Sequence, residues 1–275
     1  MSWTCGIIGL PNAGKTTIFN ALTAGHAEVA TYPFSTIAPN TGVAAVPDPR
    51  LTELGRLLQP QKLTPASIEF VDVAGLIEGA SQGEGLGNQF LAAIREVDLL
   101  VHVVRCFGAQ VCPHPLVGLD PVRDVEVVET ELLLSDLEIV GRQRLKVEKA
   151  ARVGDKAAAA ALPVLRRVEE GLNRGQWARD LGLFPQEKEK LQATPLLTLK
   201  PCLFVANLNE EEFRDGPHYR ALGKLAAARG VPLVPILGDL EVELQDFAPE
   251  ERGAFLQGLG LEELGIHRLV RESHR

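Results

Sequence analysis

Short runs of apolar, often β-branched residues recur along the chain, and longer stretches with helical periodicity separate them. Five runs predict strands: TCGIIGL from Thr4, IEFVDV from Ile68, LLVHVV from Leu99, PCLFVA from Pro201 and VPLVPIL from Val231. Strands that alternate with amphipathic helices are typical of a mostly parallel sheet with helices on both faces. Ligands bind such sheets beyond the carboxyl ends of the strands, so the residues there are the candidates for function.

The interval between Val104 and Pro201 breaks this alternation. Apolar and small residues step there by three and four, at positions 125, 128, 132, 135 and 139, and KAAAAALPVLRRVEEGL offers a second helix after Gly154 and Asp155. Two helices joined by a short polar turn form an antiparallel hairpin. We therefore predict a discontinuous α/β domain at residues 1–105 and 195–275, with an inserted helical arm at 106–194.

The arm carries a basic excess that the total charge conceals. The chain has 28 Lys and Arg against 36 Asp and Glu, a net charge of −8. From Arg142 to Arg179, however, ten basic residues stand against four acidic ones. The arm either only buttresses the sheet or, in the interpretation that we favour, meets nucleic acid.

A phosphate-binding loop follows the first predicted strand. The run from Gly9 to Thr16, GLPNAGKT, matches G-x-x-x-x-G-K-[ST] and precedes the apolar-patterned helix TTIFNALTA. Backbone N–H groups of such a loop surround a phosphate, the Lys neutralises β- and γ-oxygens, and the hydroxyl ligates Mg²⁺. The predicted phosphate-binding residues are Asn12, Ala13, Gly14, Lys15, Thr16 and Thr17.

A second motif, Asp72-Val-Ala-Gly75, ends the strand IEFVDV. Asp72 can hold a magnesium-bound water, and the N–H of Gly75 can reach the γ-phosphate, so we predict Asp72 as a metal residue and Gly75 as catalytic together with Lys15. By distance from the loop, Thr31, Thr36 or Thr41 could complete the magnesium shell. A small-molecule kinase would need an acceptor site and usually an Arg-rich lid; the Gly-rich LIEGASQGEGLGNQF favours a switch nucleoside triphosphatase instead.

The residues expected to assist hydrolysis are unusual. Leu76 follows Gly75 where Ras-type enzymes place a water-orienting Gln, which predicts slow turnover. Asn12 makes K⁺ a candidate second cofactor, since K⁺ can supply the charge of an arginine finger. His114, in the loop CPHPLVG, is either a catalytic proton acceptor or a surface residue, whereas His102 in LLVHVV is expected to be structural.

The strand PCLFVA ends in a departure from a guanine-reading motif. Asn207-Leu-Asn-Glu210 stands where guanine readers carry Asn-Lys-x-Asp. Adenine presents one donor and one acceptor on that edge, so an amide suits it better than a carboxylate alone. We predict ATP over GTP, with GTP and GDP still bound measurably. The predicted base-binding residues are Asn207, Leu208, Asn209, Glu210, Leu237 and Gly238.

Several longer motifs resemble those of a known protein family. CGIIGLPNAGKTTIFNALT, YPFSTIAPNTGV, PDPRL, FVDVAGLIEGASQGEGLGNQFL and VHVVRCF resemble the YchF/Obg-like ATPase family of P-loop NTPases, over nearly the whole chain. The resemblance implies Thr36 as the switch threonine, a coiled-coil arm, an ATP-preferring hydrolase and a ribosome or ribosomal RNA partner, with no DNA. Family members usually continue into a small TGS domain, and from the resemblance we expect that domain to be lacking here.

Composition also predicts a location. The sequence has no long apolar run, and MSWTCGIIGL leads directly into a strand, so we expect a soluble cytoplasmic protein with no membrane partner. Its cysteines, Cys5, Cys106, Cys112 and Cys202, lack C-x-x-C spacing and are expected to be reduced thiols.

Overall fold

A mostly parallel sheet forms the centre of the fold. The computed structural model describes residues 3–23, 40–73, 86–108 and 114–275. The strands are β1 (Trp3–Ile8), β2 (Asn40–Ala45), β3 (Ser67–Asp72), β4 (Leu99–Arg105), β5 (Cys202–Asn207) and β6 (Leu233–Ile236). Their order is β2-β3-β1-β4-β5-β6, and only the pair β2–β3 is antiparallel among the described pairs. The predicted parallel strands are confirmed, while the edge strand β2 was not predicted.

Helices connect and flank the strands. They are α1 (Lys15–Thr23), α2 (Pro49–Leu58), α3 (Leu86–Arg95), α4 (Pro121–Arg152), α5 (Lys156–Asn173), α6 (Pro185–Glu189), α7 (Glu210–Asp215), α8 (Pro217–Arg229), α9 (Gly238–Glu243), α10 (Pro249–Gly258) and α11 (Gly265–His274). Short 3₁₀ helices lie at Ala178–Leu181, Leu197–Leu199 and Leu244–Asp246. In the described part of the chain, no helix combines the length and the apolar character that a membrane span requires.

The described residues divide into two compact units. The sheet unit contains those among Met1–Gly75, Val97–Val125 and Cys202–Arg275. The helical unit contains those among Leu76–Glu96, together with Glu126–Pro201. Three segments group differently from the predicted domain bounds: the described residues of 106–125 belong with the sheet, whereas α3 and residues 195–201 belong with the arm. The functional domain bounds that we predicted, 106–194 for the arm and 1–105 with 195–275 for the α/β domain, stay a prediction.

The core of the sheet unit explains why its central strands are so apolar. Every residue of β4 and β5 is buried. Side chains such as Ile7, Phe70, Val101 and Val205 lie together with Ile18 of α1 in one cluster. Parallel strands that are covered on both faces have no solvent face and therefore read as continuous apolar runs. The candidate site lies at the carboxyl ends of these strands.

In the helical unit, α4 and α5 form the predicted hairpin. Arg144 pairs with Glu169, at 2.7 Å, whereas Glu148, one turn further along α4, pairs with Arg166 of α5, at 3.8 Å. Because the order of partners reverses, the two helices are antiparallel. Their facing sides share an apolar cluster that includes Val140 of α4.

A buried carboxylate connects three elements of the helical unit. Asp136 of α4 is fully buried and accepts hydrogen bonds from Leu197 N at 3.1 Å and Thr198 N at 2.8 Å. It also accepts one from Thr198 Oγ1 at 2.7 Å and one from Arg95 Nη1 at 3.0 Å. A buried ion pair with its remaining lone pairs satisfied is costly to break on one side, so α3, α4 and the 3₁₀ helix before β5 are held together.

Candidate nucleotide-binding site

The phosphate loop requires backbone conformations that its sequence supplies. Gly9, Asn12 and Gly14 all have positive φ, of 147°, 61° and 88°. A Cβ on Gly9 would lie 2.3 Å from the carbonyl oxygen of Val103, so only glycine fits where the loop leaves β1. The chain then enters α1 at Lys15, and a helix N-terminus presents unpaired N–H groups to an anion.

Lys15 and Thr16 lie at the start of α1, next to the end of β3. The buried Lys15 ammonium donates to the carbonyl oxygen of Leu10 at 2.9 Å. The Thr16 hydroxyl donates to Oδ2 of Asp72 at 3.0 Å. The structure therefore brings together three predicted residues that lie up to 57 positions apart in the sequence.

Burial shifts the pKa values of Lys15 and Asp72. Burial lowers the pKa of Lys15 to about 8, and the nearby Asp72 carboxylate opposes that shift. Burial also raises the pKa of Asp72, while the Thr16 hydrogen bond and the Lys15 charge lower it. A lysine of this kind gains its full charge when a phosphate comes close, because an opposite charge stabilises the protonated form.

The donor chemistry next to Lys15 fits Mg²⁺. Thr16 and Asp72 offer a hydroxyl and a carboxylate oxygen 3.0 Å apart, and hard oxygen donors are what Mg²⁺ prefers. Among the described residues, no group of three or more His, Cys, Asp or Glu could hold a metal without other ligands. One carboxylate with phosphate and water as the remaining ligands is the usual magnesium arrangement at nucleotides.

Asn207 links the phosphate loop to the turn from β6 into α9. Its Nδ2 donates to the carbonyl oxygen of Ala13 at 3.0 Å, and its Oδ1 accepts from Gly238 N at 3.3 Å. A Cβ on Gly14 would lie 2.0 Å from that Nδ2, and one on Gly238 would lie 2.7 Å from the Oδ1. Asn207, which we predicted to bind the base, therefore positions two loops through both halves of its amide.

A cavity of about 480 Å³ lies beside these loops, at the carboxyl ends of β4, β5 and β6. It is lined by Phe107, Gly108, Leu208, Asn209, Glu210, Glu211, Glu212, His218, Leu237, Asp239, Leu240 and Glu243. Four predicted base-binding residues, Leu208, Asn209, Glu210 and Leu237, are among them. Phe107 was not predicted; its position two residues after the end of a buried strand was the available signal.

The other predicted catalytic residue, His114, lies near the phosphate loop but is engaged with the protein. Its Nε2 is 2.7 Å from Oδ2 of Asp124, and its Nδ1 is 3.1 Å from the backbone N and O of Leu116. It lines a small cavity with Leu10, Pro11 and Ala13. Its catalytic role stays a prediction.

His102 fits the predicted structural role. It is buried in β4 and meets Phe204 edge-on, with ring centroids 5.6 Å apart. Burial, and to a smaller extent Lys15, lowers the pKa of His102 to about 3. The ring is therefore neutral near pH 7.

Some predicted residues lie outside the described ranges: Thr31, Thr36, Gly75, Leu76 and Cys112. Thr41 lies in β2, opposite Val71. The cysteines 5, 106 and 202 are buried free thiols.

Comparisons with known proteins agree with this geometry. Residues 4–138 match the family model described as 50S ribosome-binding GTPase. The Ribosome-binding ATPase YchF of Escherichia coli O157:H7 is 45% identical over 275 residues, which is 100% of this chain and 76% of that protein. The Bacillus subtilis protein of the same name is 39% identical over 277 residues, again 100% and 76%. This chain belongs to the YchF family.

A solved YchF structure has the same fold. The Schizosaccharomyces pombe YchF GTPase superposes with a TM-score of 0.84 at 30% sequence identity, covering 99% of this chain and 75% of that one. The family resemblance and the P-loop fold that the sequence predicted are therefore confirmed.

We expect nucleotide affinity to depend on pH in this YchF-family protein, because the lysine predicted to meet the phosphates is buried. Lys15 has a pKa of about 8 without ligand, and bound phosphates should raise it, so binding takes up a proton above pH 8. We expect the affinity for Mg·ADP to be constant below that pH and to fall by up to about tenfold per unit above it. Titration calorimetry between pH 7 and 10 measures this.

Two variants serve as controls for the pH profile. Lys15→Met should bind Mg·ADP more weakly and without the fall above pH 8. Lys156→Met, which removes an exposed lysine at the start of α5, should keep the native profile. A native profile that stays flat to pH 10 would contradict the assignment of Lys15 to the phosphates.

Proposed function

We propose that this protein is a switch NTPase that binds and slowly hydrolyses ATP with Mg²⁺ and acts on the ribosome. The observation that carries the proposal is the meeting of Lys15, Thr16 and Asp72 at the start of α1, beside the Asn207-Leu-Asn-Glu210 strand end. The relatives that are named Ribosome-binding ATPase YchF support it.

Each part of the phosphate site has a role in this proposal. The N–H groups of the loop and the start of α1 hold the β-phosphate, and Lys15 neutralises the oxygens between the β- and γ-phosphates. Thr16 and Asp72 hold Mg²⁺, with Thr36 as the third predicted ligand. The metal would neutralise charge that develops on the phosphates during transfer.

The preference for ATP is proposed from the amide at the cavity. Asn209 accepts from Glu212 N through Oδ1, at 3.0 Å, and so begins α7. The NH₂ half of the same amide can then donate to adenine N1. GTP is the second candidate, since the carboxylate of Glu210 lines the same cavity as Asn209. In addition, the matching family model and the solved YchF structure both carry the word GTPase in their names.

Slow hydrolysis is proposed from the residues around the γ-phosphate. Leu76 has no hydrogen-bonding side chain to orient water, and Gly75 would offer only its N–H. His114 would have to leave Asp124 before its Nε2 could meet a water, because that nitrogen is 2.7 Å from the carboxylate. K⁺ near Asn12 would be the other source of assistance.

The helical arm is the proposed contact with the ribosome. Most arginines of the basic segment are paired, as Arg152 is with Glu148 at 3.1 Å. Lys146, Lys149 and Lys156 near the turn between α4 and α5 are exposed, and no ion pair to them occurs within the described residues. These three lysines, here called the tip lysines, would contact RNA phosphates, and the ribosome partner would place the protein in the cytoplasm.

An alternative from another class is a ribosome-binding module in which the nucleotide is only structural. The basic arm supports it equally. It predicts ribosome binding that does not differ between ATP-bound and ADP-bound protein, whereas a switch binds differently in the two states.

The base assignment is tested by Asn209→Asp. Aspartate keeps an oxygen to begin α7 but replaces the amide donor with an acceptor, which suits guanine. One exchanged hydrogen bond is worth about 0.5–1.5 kcal/mol. We therefore expect the ATP:GTP affinity ratio, measured by titration calorimetry, to fall at least about threefold.

Asn209→Ser is the matched control for this change. Serine can also begin a helix but offers no carboxylate, so ATP affinity should fall while GTP affinity stays the same. An ATP:GTP ratio that neither variant alters would show that Asn209 does not read the base.

The ribosome contact is tested by changing the tip lysines to Gln together. Affinity for ribosomes, measured by co-sedimentation, should fall, and its dependence on salt should become shallower by roughly 0.7–0.9 in log–log slope per lost phosphate contact. Changing Lys62, Arg214 and Lys224, which are exposed and lie outside the arm, to Gln alters the net charge equally and should have little effect. If the tip variant binds ribosomes with native affinity, the arm is not the contact. If the native protein does not bind ribosomes, the ribosome is not its partner.

A further inference from the structure

Arg105 is an unusual residue because it buries a charge at the end of a central strand. It is the last residue of β4, is 2% exposed, and is among the largest fully buried side chains in the described part of the chain. A guanidinium is kept in such a place only when its donors are satisfied and its charge is compensated. Its partners therefore indicate what it is for.

Within the described part of the chain, Arg105 bonds the second and third residues after the end of the strand. Arg105 Nε donates to the carbonyl oxygen of Phe107 at 3.1 Å, and Nη2 donates to that of Gly108 at 2.9 Å. The guanidinium carbon also lies 4.4 Å from the centroid of the Phe107 ring. One side chain thus fixes both the backbone of this segment and the orientation of its aromatic ring.

The segment leaves the sheet at this point. Cys106 N still donates to the carbonyl oxygen of Asn207, at 2.9 Å, so the ladder between β4 and β5 continues to Cys106. Phe107 and Gly108 then form a wall of the 480 Å³ cavity, on which Leu208 and Leu237 lie as well. Beyond Cys106, the described hydrogen bonds to the backbone of Phe107 and Gly108 come from Arg105.

We propose that Arg105 is a positioning residue for the nucleobase: it holds Phe107 and Gly108 as one wall of the base cavity. The inference rests on the proposed function, because it takes this cavity as the site of the base. Arg105 would touch no part of the nucleotide. Loss of Arg105 would therefore reduce only the part of the nucleotide affinity that the base contributes, and not the part that the phosphates contribute.

The competing interpretation is that Arg105 supports the phosphate loop. It also lines the small cavity with Leu10, Pro11, Ala13 and His114. If it acted there, its loss would weaken every phosphate ligand equally. Mg·ADP and Mg·pyrophosphate therefore separate the two roles, since both carry the diphosphate and only ADP carries a base.

The test compares both ligands in Arg105→Met, which keeps an unbranched apolar side chain and removes the donors. We expect Mg·ADP to bind about tenfold more weakly, the scale of one lost base-stacking contact, and Mg·pyrophosphate to change less than about twofold. In ATP turnover, KM should rise while kcat stays the same. Arg105→Lys, which keeps the charge but not the planar fork, should lie between native and Arg105→Met for ADP.

A second variant tests the proposal independently, in case Arg105→Met does not fold. Phe107→Leu keeps Arg105 and removes the ring, and it should weaken ADP selectively as well. A parallel fall for both ligands in Arg105→Met, or unchanged ADP affinity in a folded Arg105→Met, would overturn the proposal. If the native protein binds Mg·ADP no better than Mg·pyrophosphate, the base cavity itself is wrong and Arg105 has no base to position.

Discussion

The side-chain amide of Asn207 is the constraint on which the site depends. It donates to Ala13 O of the phosphate loop at 3.0 Å and accepts from Gly238 N at the start of α9 at 3.3 Å. Because it is 4% exposed, water does not compete for either bond. Gly14 and Gly238 are glycines because a Cβ on either would collide with that amide. Phosphate-side and base-side loops are thus held at a fixed spacing.

Burial also determines the electrostatics of the site. Lys15 and Asp72 lie at strand and helix ends where little water reaches, so Lys15 has a lowered pKa and Asp72 a raised one. Each is costly to keep charged until a partner of opposite charge arrives. In the proposed function, a triphosphate with its metal would supply both partners together, and the site would then favour anionic ligands that carry a cation.

Features set by adjacent residues could be predicted from the sequence, and features set by packing could not. The phosphate loop and the turn between α4 and α5 depend on local spacing, and both predictions agree with the structure. Asn207 was predicted as a base-binding residue, and that role stays a prediction; what the sequence could not show is that Ala13 and Gly238 come to the two sides of its amide. Asp136 and Arg105 were missed for the same reason: charged residues are expected at surfaces, and only their partners explain their burial.

The most direct test of the account is Asn207→Ala, with Mg·ADP affinity and phosphate release from ATP measured on a folded sample. Without the amide the two loops lose their link, so we expect both quantities to fall about tenfold or more. Asn173→Ala, which removes an exposed amide that donates to Glu169 O at 2.8 Å, should leave both unchanged. Native affinity and rate in Asn207→Ala, or a native protein that releases no phosphate from ATP, would contradict the account.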